Sequence, residues 1–230
     1  MLAQYISEVQ NLLNDQQGQF FPIPTLISYI NRARRRICAV SGCVSCIPPG
    51  TKTHQGQEIY PFSDWLSLVQ NVKPGIQSIL YCKSLAVSIG PGGWKPVWRR
   101  IVFTDFQARF RIYNGTFYGW ISEPGWYAQY GHGPTAALYL APIPSMENPM
   151  EVDLALIPQP LLNDSDPDQI SFPWSDAVSY WAATLALLQQ QRREDAAAMA
   201  VLFNNDLPMC ASAVCPQFIQ NVYGSTVRSA

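Results

Sequence analysis

The chain has 230 residues, of which 13% are charged and 12% aromatic, with 19 prolines and a formal net charge of −1. That length supports a sizeable core and the composition excludes a disordered segment, while a pI near 6.1 argues against a dedicated nucleic-acid-binding protein, which needs high basicity. The charge is unevenly placed: residues 1–111 hold 12 Lys/Arg against 5 Asp/Glu, and residues 112–191 hold 8 acids and no Lys or Arg. The simpler reading is that these parts neutralise each other within one fold; the sharper one is that opposite faces meet between copies in a head-to-tail ring.

"LAQYISEVQNLLND" opens the chain as an amphipathic helix, with Leu2, Tyr5, Ile6, Val9, Leu12 and Leu13 at helical spacing. It lacks the basic-then-apolar order of a secretory signal. "NDQQGQFFPIP" interrupts it, and Thr25 is the predicted N-cap of a second helix that Gly42 stops. From about Ile47 to Pro160, prolines, glycines and aromatics punctuate β-type runs: "QEIYPF", "QSILYCKSLAVSI", "PVWRRIVF", "RFRIYNGTFYGWI", "AALYLAP" and "MEVDLALI". "IGPGGWKP" and Asn114-Gly115 read as hairpin turns. Helical texture returns in "SDAVSYWAATLALLQQQ", with Ser175 as predicted N-cap, Asp176 in the first turn, and apolar residues almost all round, as in a sandwiched helix. The alanine-rich "RREDAAAMAVLFNNDL" is a fourth helix, and "CPQFIQNVYGSTVRSA" is an extended tail. The expected class is α+β. A discontinuous four-helix domain occupies 1–46 and 170–212, an inserted antiparallel β-rich subdomain 47–169, and a C-terminal tail 213–230.

Candidate chemistry is sparse. Cys38, Cys43, Cys46 and Cys82 match plant-type iron–sulfur spacing, but Cys38 falls inside a predicted helix where that pattern needs a loop, so small buried thiols are the preferred reading. Asp164, Asp166 and Asp168 resemble the start of a calcium loop, yet Gln169 and Ser175 stand where glycine and the bidentate glutamate belong. Neither a metal nor another cofactor is expected. No nucleophile elbow, phosphate loop or zinc-protease motif occurs, and a triad built on His54 with Ser63 and Asp64 has only proximity in sequence behind it. Trp94, Trp98, Trp120, Trp126, Tyr127 and Tyr130 suit a β-core or an interface better than a sugar-stacking platform, although a carbohydrate-binding module is the alternative they define.

"LISYINRARRRI" at Leu26–Ile37, "LYLAPIP" at Leu138–Pro144 and the aspartate-led helix Asp176–Leu188 occur in an order that resembles the head-to-tail adaptor (connector) proteins of short-tailed bacteriophages. The resemblance implies a structural virion protein without enzymatic activity, made in the host bacterial cytoplasm. It implies a ring of about twelve copies between the portal protein and the tail nozzle or tube, through which DNA passes without sequence-specific binding. Other head-completion or tail components are its near neighbours. In similar adaptors the C-terminal segment reaches into the portal, which here assigns portal docking to Phe218, Ile219, Val222, Tyr223, Val227 and Arg228.

Within "NRARRRI", a helical wheel centred on Ile30 places Arg32, Arg35 and Arg36 at least about 120° away, on the polar side, and Arg34 about 40° away, among the apolar residues. The first three are the predicted assembly surface. Arg34 is predicted to be a buried, partnered cation, with Asp176 or another acid of the C-terminal helices expected to meet it.

Overall fold

The computed structural model describes residues 1–88, 95–111, 125–214, 218–220 and 226–228, the last two stretches, 111 and 212–214 by their backbone alone. The turns expected at 89–94 and at Asn114-Gly115 lie outside these residues, as do Trp94, Trp120, Val222 and Tyr223.

Two helices open the chain, α1 (Leu2–Leu12) and α2 (Ile23–Ser41). The α1 stripe buries Leu2, Tyr5 and Val9. α2 begins two residues before the predicted cap at Thr25, because Pro22 and Pro24 flank its first residue. Proline presets the helical φ and lacks an N–H that the first turn would leave unpaired. The helix stops as expected at Gly42, whose left-handed φ of 62° lets its N–H bond the Cys38 carbonyl. Between the helices, the buried Asp15 carboxylate accepts the N–H groups of Gln19 (2.8 Å), Phe20 (3.1 Å) and Phe21 (2.9 Å).

The middle of the chain contains β1 (Ser45–Cys46), β2 (Ile59–Pro61), α3 (Phe62–Val72), β3 (Ile76–Val87) and β4 (Arg99–Arg100). It continues through α4 (Phe103–Phe106) and a π-helical turn at Gln107–Arg111 to β5 (Trp126–Tyr130), β6 (Ala137–Ala141) and β7 (Met150–Pro158). One sheet has the order β1-β7-β3 and is antiparallel. The other runs β2-β6-β5-β4 and is mixed, since β4 pairs with β5 in parallel where an all-antiparallel subdomain was expected. Helix α3 is a second departure. Phe62, Trp65 and Val69 line its buried face at helical spacing and Asp64 sits in its first turn, but the flanking β-type residues mask that short period.

The chain ends with α5 (Trp174–Gln189), α6 (Arg193–Val214) and the strands β8 (Phe218–Gln220) and β9 (Thr226–Arg228). α5 starts one residue before Ser175, with Pro173 rather than that serine as the capping residue. It buries residues on most sides, including Ala177, Val178, Ala182, Ala183, Ala186 and Leu187, and packs against α1, α2 and α6. Of the expected extended tail, residues 213–214 still belong to α6, and the described stretches β8 and β9 are strands that pair with each other in antiparallel register, Ile219 opposite Val227.

The chain divides into two compact units, residues 1–43 with 160–230, and residues 44–159. The first holds α1, α2, α5, α6 and the β8–β9 pair, and the second holds the β1-β7-β3 and β2-β6-β5-β4 sheets with α3 and α4. Residues 160–169 belong with the helices.

Candidate functional site

The polar residues of α2 account for that placement. Asn31 and Arg34 are one turn apart on the helix and both buried. The Asn31 amide brackets one residue of the incoming segment, donating from Nδ2 to the Leu161 carbonyl (2.9 Å) and accepting the Leu161 N–H at Oδ1 (2.8 Å). Arg34 Nη1 donates to the same Oδ1 (3.2 Å), and Nη2 donates to Asp168 Oδ1 at 2.7 Å. The side chains of this ion pair are 2% and 1% exposed. Asp168 also accepts the Tyr5 hydroxyl at Oδ2 (2.8 Å) and the Ile170 N–H at Oδ1 (3.0 Å). Burial, and then the Asp168 charge, push the Tyr5 hydroxyl well above the usual phenol range. Tyr5, Asn31, Arg34 and Asp168 thus form one connected network beneath the arginine run, and low local dielectric makes each member depend on the others.

Arg34 is therefore buried and paired, but its acid is Asp168, not Asp176. Asp176 is exposed in the first turn of α5, where it accepts a hydrogen bond from Ser175 (3.1 Å). The reason is topological. The partner comes from the loop ahead of α5, not from a C-terminal helix, and Asn31 holds that loop against α2.

The neighbouring aspartates of "DSDPD" also have structural partners. Asp164 accepts the Ala3 N–H at the start of α1 (2.9 Å), a bond that lowers its pKa. Asp166 accepts the N–H groups of Leu162 (2.7 Å) and Asn163 (2.8 Å), which lower its own. Among the described residues no three His, Cys, Asp or Glu side chains are grouped so as to hold a metal ion. Cys38, Cys46, Cys82 and Cys210 are buried. Cys38 and Cys43 have sulfurs 3.9 Å apart, while Cys46 and Cys82 lie on strands either side of Leu154. Burial raises the Cys82 thiol to about 12. His54 faces Glu147 (3.2 Å), and Ser63 bonds its neighbour Asp64 (3.2 Å), so the described geometry does not assemble a triad from them.

Ion pairs join the basic part of the sequence to the acidic part. In the helical unit this is Arg34–Asp168; in the other unit Lys52 pairs with Glu147 (2.6 Å), Lys83 with Asp153 (3.9 Å) and Lys95 with Glu151. Asp168, Glu147, Asp153 and Glu151 are thereby engaged inside the fold, which leaves certain arginines over. Arg32, Arg35 and Arg36 are exposed on α2, as the wheel places them, and the Arg36 guanidinium lies 5.4 Å from the Trp181 ring centroid. Arg99, Arg100 and Arg109 are exposed in the β-rich unit. None of these six has a carboxylate partner among the described residues. Of the aromatics, Trp98 and Tyr127 are buried, Tyr130 is 58% exposed, and Trp126 lies beneath Arg99 and Arg109. They do not form an open stacking platform in the described residues.

A helical unit fastened by a buried network, with arginines left over on its surface, suits a protein that works by binding other proteins, and its place among known sequences is that of a phage structural adaptor. The family described as SU10 adaptor protein matches residues 2–213, and the chain belongs to this family. A search of curated proteins finds no match. Membership places the protein in the virion, in contact with other virion components. No helix among the described residues is long and apolar enough to cross a membrane.

Proposed function

We propose that the protein forms a closed ring of about twelve copies that joins the portal to the tail nozzle or tube and leaves a channel for DNA. The observation that carries this reading is the adaptor-family match across nearly the whole chain. In this reading the discontinuous helical domain carries the assembly surface at Arg32, Arg35 and Arg36. Residues 213–230 dock on the portal through Phe218, Ile219, Val222, Tyr223, Val227 and Arg228. The protein acts as a structural part, not as an enzyme.

Two features support self-assembly. The arginine face of α2 has no carboxylate partners of its own among the described residues, and α6 exposes Val201, Leu202 and Met209 along one helix. Exposed apolar groups of this kind mark protein–protein contact. The test is to mix the purified protein with portal rings and follow them by sedimentation and negative-stain microscopy. A new ring of density on the portal is the expected outcome. A monomer that ignores the portal under all ionic conditions would sink the proposal.

A further inference from the structure

Arg99 and Arg109 come from different elements, β4 and the π-helical turn after α4, yet converge on one side chain. β4 pairs in parallel with β5 so that Arg99 is opposite Trp126, which puts both on one face of the sheet. The guanidinium carbons of Arg99 and Arg109 lie 5.4 and 5.5 Å from the Trp126 ring centroid. Both arginines are exposed. The β7 acids Glu151 and Asp153 pair with Lys95 and Lys83. Asp105, in α4 between the two arginines in sequence, forms no ion pair among the described residues.

We infer that Arg99 and Arg109, gathered over Trp126, are a contact site for the phosphodiester backbone of duplex DNA. Cation–π attraction holds each guanidinium at the indole, and the planar fork of N–H donors fits phosphate oxygens. The indole lies under these cations, so it is not a platform for a base; the surface reads charge and not sequence. The whole-chain pI is an average over all 230 residues and does not register a local pair of cations. The inference deepens the proposed passage of DNA and rests on that reading for its biological setting. It is nevertheless tested on the chain without portal, so ring assembly and DNA contact fail separately.

The experiment is fluorescence anisotropy of a short mixed-sequence DNA duplex titrated with full-length protein across a salt series. R99Q/R109Q is compared with K52Q/K95Q, which removes equal charge from exposed, ion-paired lysines. The arginine variant is expected to bind at least about fivefold more weakly at low salt and to lower the log–log salt slope by about 2, at about 0.9 per phosphate contact, while the lysine variant stays within about twofold of wild type. Circular dichroism and thermal melts establish that both variants fold, and R99K/R109K, which keeps the charge, is expected to bind better than R99Q/R109Q. Equal losses in both glutamine variants would overturn the site, as would a wild-type protein that does not bind duplex. So would low-salt self-association that disappears in R99Q/R109Q while DNA binding persists, because that assigns the arginines to an acidic protein surface.

Discussion

At the scale of single residues, the decisive contact is one that joins positions far apart in sequence. Removing the Asp168 carboxylate leaves the Arg34 guanidinium buried beside the Tyr5 hydroxyl without its ion-pair partner. Breaking a buried pair from one side costs about 3–5 kcal/mol, whereas an exposed change costs within about 0.5 kcal/mol. Asp168→Ala is accordingly expected to lower the urea midpoint strongly and Asp176→Ala hardly at all; equal midpoints would contradict the pairing. Arg34→Ala should likewise cost more than Arg35→Ala. That Arg34 would be buried was legible from its angle on the helical wheel. Its partner was not, because a wheel describes one helix and the acid arrives on a loop.

Among the elements, the segment between β7 and α5 is the one whose attachment matters most. Asn31 satisfies both backbone groups of Leu161, and Asp168 takes the Ile170 N–H. Asn31→Ala leaves these buried groups without that partner, at about 1–3 kcal/mol for each unsatisfied group. Amide exchange at Leu161 and Ile170 is therefore expected to rise well before that in the middle of α5. Uniform exchange changes across the helices would mean that the segment is not a separately fastened part. α1 and α2 were legible because their apolar stripes persist over several turns, and α5 and α6 because long runs of apolar and alanine residues follow a capping signal or a polar break. α3 was not, since three apolar positions among β-type residues do not distinguish a short helix from a strand. The parallel pairing of β4 with β5 was equally hidden, because strand direction is set by the path of the connections and leaves no local pattern in two residues.

For the whole molecule, the charge asymmetry finds its answer partly inside the chain. Lys52, Lys83, Lys95 and Arg34 draw on the carboxylates of the acidic stretch, and exposed arginines remain on both units. A near-neutral net charge therefore coexists with locally basic surface. The tail belongs to this scale too. Deleting residues 216–230 is expected to abolish attachment to portal rings while the far-UV helical signal stays intact, since α6 ends at Val214. Attachment that survives the deletion would remove the docking role from the tail.

Local physics made several features plain in the sequence itself. Apolar periodicity placed α1 and α2, a capped apolar run placed α5, alanine richness placed α6, Gly42 ended α2, and the arginine run split into one inward and three outward side chains. Each of these depends on neighbours within a few turns of the chain. The identity of the Arg34 partner, the fastening of residues 160–170 and the convergence of two arginines on Trp126 depend on segments brought together by folding. A charge or an amide does not specify its partner along the chain. Only the packed structure, where a buried polar group must find one, decides which residue it is.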